Sequence, residues 1–203
     1  MRILLSIVLA CWTASATADE IDPFFPALYA VTGVAENDTL NIRAAPDGDA
    51  AVIGALAHDA RDIEVITLSR QGGWALVNAS ENAGWAAFRF LNRQDQRVMS
   101  LGLPEGLRCF GTEPFWSITF GGGAVLDYAT PGSIMRHSIT SMSPAPENVS
   151  VAEFGYRFVW QSQGEDVTAH ILPGRCSDGM SDRIYGLHYV DNQRPSTGCC
   201  SLN

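Results

Sequence analysis

The chain has 203 residues, 46% of them hydrophobic and 17% charged, which suits one large or two small folded domains and excludes a disordered chain. The formal net charge is −9, and every basic residue apart from histidine is arginine. That balance argues against nucleic acid or anionic lipid as partner, because phosphate recognition depends on a basic face.

Met1-Arg2 followed by the apolar run Ile3 to Ala10, with Ala16-Thr17-Ala18 as small residues at a cut site, reads as a secretory signal over residues 1–18. Cleavage after Ala18 places the mature chain in the periplasm or outside the cell. No later stretch approaches the roughly 18 apolar residues of a membrane-spanning helix. Val8-Leu9-Ala10-Cys11 offers a competing reading as a lipoprotein box, in which a lipid on Cys11 tethers the chain to a membrane. Beyond the leader, Asp22-Pro23-Phe24-Phe25-Pro26 is barred from helix by its prolines, and its phenylalanines need cover. The segment is expected to wrap over the next domain.

From Leu28 to Leu91 short alternating runs are separated by turn residues. Leu40 and Ile42 share one strand face while Asn41 and Arg43 take the other, and Ala45-Pro46-Asp47-Gly48 breaks the run. Ile63-Glu64-Val65 alternates again, Gln71-Gly72-Gly73 turns, Trp74 to Val77 is apolar, Asn82-Ala83-Gly84 turns, and Trp85 to Leu91 closes the unit. Several short strands at this spacing indicate a small barrel over residues 27–92. Both Trp74 and Trp85 follow a glycine after a turn and read as core residues; Trp74, with Arg43, is the better candidate for a peptide groove.

The order Leu40-Asn41-Ile42-Arg43-Ala44-Ala45-Pro46, Val52-Ile53-Gly54, Gly73-Trp74-Ala75-Leu76-Val77, Gly84-Trp85 and Phe90-Leu91 is similar to the bacterial SH3 (SH3b) domain pattern. The resemblance covers about sixty residues. It implies a compact five-to-seven-stranded barrel of the kind used in bacterial envelopes to bind cell-wall peptides or protein partners, and it implies no catalysis.

Residues 93–106 are polar, punctuated by Leu103-Pro104-Glu105-Gly106, and read as a linker. Over residues 107–203 β patterning returns with longer runs. Trp116, Ile118 and Phe120 alternate with polar residues, as do Phe154 to Trp160, Val167 to Ile171 and Tyr185 to Tyr189, describing an antiparallel sheet folded over one core. Pro131-Gly132 and Ser143-Pro144-Ala145-Pro146 mark residues 130–148 as a loop with at most a short strand. The fold expected is therefore all-β, a small SH3-like barrel followed by a disulfide-stapled antiparallel β domain.

Either reading of the leader removes Cys11, leaving Cys109, Cys176, Cys199 and Cys200 in an oxidising compartment, with three connectivities possible for two disulfides. Adjacent cysteines on a strand point to opposite faces, so separate partners are easier than a bond between Cys199 and Cys200. Cys176 with Cys199 would join a turn to the last strand, and Cys109 with Cys200 would tie the first strand to it. The pair lacks thiol-oxidoreductase spacing. Cys109-Phe110-Gly111-Thr112-Glu113-Pro114-Phe115-Trp116, Cys176-Ser177-Asp178-Gly179-Met180-Ser181-Asp182, Tyr185 and Gly198-Cys199 together look like an uncharacterised domain of bacterial secreted proteins and lipoproteins, with some likeness to heat-shock lipoprotein and META-type domains. That resemblance implies a single β domain and does not supply an activity.

Glu113, Asp178 and Asp182 are the carboxylates of interest. Asp178 and Asp182 are oxygen donors for calcium in principle, but the tract lacks the alternating carboxylates of an EF-hand loop, and Asp178-Gly179 reads better as a turn whose side chains bond nearby amides. No metal or cofactor is expected, His58, His137, His170 and His188 having no ligand spacing. No serine lies in a nucleophile elbow. The function expected is non-catalytic binding of a cell-wall (peptidoglycan) peptide or an envelope protein. Inhibition of a wall-degrading hydrolase is the alternative, and a hydrolase using Glu113 and Asp178 is a third reading.

Overall fold

A computed structural model describes residues 25–144, 155–193 and 197–203. The leader, Cys11 and Phe24 lie outside the described residues, as does Phe154. The first module contains strands β1 (Ala27–Val31), β2 (Thr39–Arg43), β3 (Val52–Ala57), β4 (Ile63–Val65), β5 (Thr67–Leu68), β6 (Trp74–Ala79) and β7 (Asn82–Ala87), then a single 3-10 turn and β8 (Leu91–Arg93). They form two antiparallel sheets, ordered β4-β1-β8 and β3-β2-β7-β6-β5. Period-two alternation decides which side chains face inward: Leu40 and Ile42 are buried while Asn41 is exposed, and Tyr29, Val65, Ala75, Val77, Ala86 and Leu91 complete the core. Phe25 is buried there too, stacked with Tyr29 at 6.2 Å.

The second module is a closed eight-stranded barrel of β9 (Arg108–Thr112), β10 (Phe115–Gly121), β11 (Val125–Thr130), β12 (Ser133–Pro144), β13 (Tyr156–Ser162), β14 (Glu165–Cys176), β15 (Tyr185–Asp191) and β16 (Gly198–Ser201). Each strand pairs antiparallel with the next in sequence, and β16 pairs with β9 to close the ring. Closure removes both sheet edges, which otherwise leave rows of backbone groups unpaired. The interior is packed with Trp116, Ile118, Leu126, Tyr128, Phe158, Trp160, Val167, Ile171 and Tyr189. The barrel is a filled core, and most of its large apolar residues face inward, the reverse of a lipid-facing barrel.

Two parts of this module differ from expectation. The stretch expected to be a loop holds β12, twelve residues long. Of its described side chains only Ile139 is buried, and Ile134 is 76% exposed. The strand therefore shows no apolar alternation and is held by backbone pairing to β11 and β13, which ring closure demands. The stretch read as a linker is a packed segment: Val98 bridges to Pro104, Leu103 is buried in the barrel core beside Leu107, and Met99 and Leu101 pack against it. An isolated leucine after a polar run carries no periodic signal, so its burial is invisible locally.

Both disulfides form as the strand geometry suggests. Cys109 and Cys200 are direct partners across β9 and β16, with Cα atoms 4.0 Å apart, and both lie in the core. Cys176 and Cys199 join the end of β14 to β16 with Cα atoms 5.5 Å apart, in a separate cluster with Tyr185 on the other face. The alternation of the sheet thus sends neighbouring Cys199 and Cys200 to different partners.

Candidate functional site

Three segments far apart in sequence meet at one end of β9, β10 and β16. The β9–β10 turn brings Thr112 and Glu113, the loop after β14 brings Asp178, Gly179 and Met180, and Thr197 stands just before β16. With Trp116 they line a cleft of about 350 Å³. Exposed Met180 (67%) lines it, and exposed Phe115 (53%) stands beside Trp116 in sequence.

Trp116 is held as a rigid wall. Its ring lies parallel to Tyr128 at 6.2 Å and tilted on Tyr189 at 4.9 Å. It fits because Gly111 and Gly198 flank it: a methyl group on either would overlap the indole. Its Nε1 is buried with no hydrogen-bond partner among the described residues.

The loop from Ser177 to Arg183 is built around one carboxylate. Asp178 Oδ1 accepts from the Met180 and Ser181 amides, both at 3.0 Å, the Ser181 hydroxyl lies 3.1 Å from each carboxylate oxygen, and Tyr185 donates to Oδ2 at 3.4 Å. Gly179 follows at φ +72°, a left-handed conformation that glycine adopts without strain. Thr112 Oγ1 donates to the Asp178 carbonyl at 2.8 Å and docks the loop on β9. Partial burial pushes the Asp178 carboxyl up, but the bonds from Met180, Ser181 and Tyr185 outweigh it and hold the group below the usual carboxylate range.

A lowered pKa gives a definite sign. The stabilisation is present above the ordinary value of 3.8 and is lost as pH falls through the lower folded value. The Met180 and Ser181 amide resonances of the native protein should hold their positions at pH 6 and move only in strong acid. In Asp178→Ala they should already be displaced at pH 6 and show no further acid transition.

The candidate residues divide between places. Glu113 and Asp178 share the cleft, Glu113 exposed and Asp178 engaged by its own loop. Asp182 is outside the lining: its carbonyl accepts from the Ala83 amide of β7 at 3.0 Å, where the two modules meet. Trp74 and Arg43 are in the first module. Trp74 is half-buried against that module's core, and the Arg43 guanidinium donates to the Ala50 carbonyl at 2.7 Å. Strand β7 separates them, Arg43 pairing with Trp85 and Trp74 with Ala87. Among the described residues no group of three or more His, Cys, Asp or Glu side chains is placed to hold a metal.

Sequence reasoning did not single out Thr112, Met180 or Thr197 as lining residues. Met180 lies inside the cysteine-aspartate motif, and its exposure among polar turn residues was the available signal. Thr197 carried none.

Fold and site together define an all-β, disulfide-bonded protein of two modules with an acidic, aromatic-walled cleft on its barrel. Comparison with family models, curated proteins and solved structures finds no match.

Proposed function

We propose that the protein is a non-catalytic binding protein of the bacterial envelope that takes a cationic side chain of a cell-wall peptide, or of an envelope protein, into the barrel cleft. The observation that carries this reading is the cleft itself: a fixed indole wall and an exposed methionine beside the exposed carboxylate of Glu113. That combination suits an amine or guanidinium on an aliphatic stem, the charge meeting Glu113 and the stem packing on Met180 above the buried indole. The net charge of −9 draws the same class of ligand. The SH3b-like pattern of the first module supports peptide recognition in an envelope, and two disulfides together with the leader-like start support an oxidising compartment outside the cytoplasm.

The two-carboxylate hydrolase is disfavoured by Asp178. Held below the usual carboxylate range it is a poor proton donor, and as a base or nucleophile it has little to offer, because its oxygens already take the Met180 and Ser181 amides, the Ser181 hydroxyl and the Tyr185 hydroxyl. Its bonds leave it the role of a positioned loop anchor.

The test is co-sedimentation with purified peptidoglycan at physiological salt. The native protein should pellet with the wall material, and Glu113→Gln should weaken binding about tenfold, as expected for one charge-assisted contact. Native protein left in the supernatant overturns the wall version of the reading. Equal binding by Glu113→Gln overturns the assignment of the cleft.

A further inference from the structure

The two modules enclose a carboxylate that the cleft does not use. Glu64 on β4 is 5% exposed and Ser201 on β16 is 3% exposed, and the Ser201 hydroxyl lies 2.5 Å from Glu64 Oε2. The same hydroxyl is 3.1 Å from the Asn203 main-chain oxygen and 3.0 Å from Asn203 Oδ1. Asn203 Nδ2 donates to the Asp62 carbonyl at 2.7 Å, so the end of β16 is tied back to the start of β4. Glu64 Oε1 is buried with no hydrogen-bond partner among the described residues.

The proton count in this cluster is informative. One serine proton faces three acceptor oxygens, so with Glu64 ionised the serine must serve the carboxylate and leave the Asn203 oxygens facing its lone pairs. An added proton on Glu64 Oε2 relieves this. Glu64 then donates to Ser201 and Ser201 donates to Asn203, a continuous chain that crosses from one module to the other. An ionised carboxylate at this burial would also carry a large desolvation cost.

A second seam lies beside the first. The Ile184 amide donates to Asn78 Oδ1 at 3.0 Å, Asn78 Nδ2 donates to the Ile184 carbonyl at 2.9 Å, and the Ala83 amide donates to the Asp182 carbonyl at 3.0 Å. This strap, residues 182–184, follows directly on the Asp178–Ser181 turn that walls the cleft. Arg183 within it is the charged side chain acting on Glu64.

We propose that Glu64 is a proton-operated latch between the modules: neutral, it holds the first module on the barrel; ionised, it loosens the junction, the strap at residues 182–184 and the adjoining wall of the cleft. Docking of the modules does not depend on what the cleft binds; any effect of the loosened wall on ligand rests on the function proposed above. Burial raises the Glu64 carboxyl from 4.5 to about 7, the Ser201 bond, the Leu202 amide and Arg183 opposing it without prevailing. A raised carboxyl gives its full contribution to docking below 4.5 and loses it as pH rises through about 7. The latch therefore closes in mild acid and slackens in mild alkali.

The test uses the full chain without ligand. Amide hydrogen exchange at Ala83 and Ile184, corrected for the intrinsic pH dependence, reads the seam, while Ile118 and Tyr128 in the barrel serve as controls. Protection at the seam should fall about a hundredfold between pH 5 and pH 8.5 with the controls unchanged, the size set by the shift in the carboxyl. In Glu64→Gln, always neutral, seam protection should be constant across that range. A seam insensitive to pH in the native protein, or equally sensitive in Glu64→Gln, overturns the proposal. Carbon-13 titration of the Glu64 carboxyl in the native protein provides a readout that needs no variant, and a midpoint near 4.5 overturns it as well.

Discussion

Replacing Cys109 and Cys200 together by alanine should lower the free energy of unfolding by about 2–5 kcal/mol, more than the same change at Cys176 and Cys199. The two bridges differ in what they close. Cys109 and Cys200 are separated by 91 residues and Cys176 and Cys199 by 23, so the first removes more freedom from the unfolded chain, by about 1 kcal/mol on the loop-entropy relation. The first bridge also joins β9 to β16, the pair that turns a sheet into a ring, and its sulfurs are part of the core. Alanine there opens a small cavity in addition. Urea unfolding followed by circular dichroism should give the order native, then Cys176→Ala/Cys199→Ala, then Cys109→Ala/Cys200→Ala. The reverse order would mean that ring closure is held by packing and backbone pairing alone. The outer bridge should instead matter to the cleft, since it pins the segment that leads into the Asp178 turn.

Trp116→Ala should cost about 3–5 kcal/mol, the range for truncating a large buried aromatic side chain. The indole contacts Tyr128 and Tyr189 in the core and also forms a wall of the cleft, so stability and binding should fall together. Trp116→Phe separates the two effects. Phenylalanine keeps most of the packing and should restore most of the stability, while the smaller ring leaves a gap between Gly111 and Gly198 and so alters the wall of the cleft. Gly198→Ala presses on the same ring from the other side, against the Phe110 carbonyl as well, and should cost about 1–3 kcal/mol by overpacking. Melting by circular dichroism paired with wall co-sedimentation distinguishes these cases. A Trp116→Ala protein with native stability would remove the indole from the core as described.

These effects show which parts of the candidate site were legible before any fold was known. The turn chemistry of Asp178-Gly179 was legible, because an aspartate bonding the amides that follow it needs no distant partner. Glu113 beside Pro114-Phe115-Trp116 was visible as a motif, but its meeting with Asp178 was not, since that depends on β9 and β14 both being tied to β16, the first by pairing and the second by a disulfide. Trp74 and Arg43 illustrate the opposite problem. Each occupies a recognisable position in a short strand, yet β7 runs between them and neither reaches the cleft.

The sequence by itself determined the all-β class, the inward faces of the strands carrying Trp116, Phe158, Val167 and Leu187, and the separate partners of Cys199 and Cys200. All of these follow from period-two alternation, a property of neighbouring residues on one strand. Only the tertiary structure decided that β12 is a strand, that Leu103 is core and that Glu64 is buried. Each depends on what lies across from it: two flanking strands for β12, a barrel interior for Leu103, and the second module's Ser201 for Glu64. In Ile63-Glu64-Val65 the alternation places the glutamate outward, and outward from the first module is into the second. Burial between modules is set by the surface that meets a residue, and a local pattern carries no record of that surface.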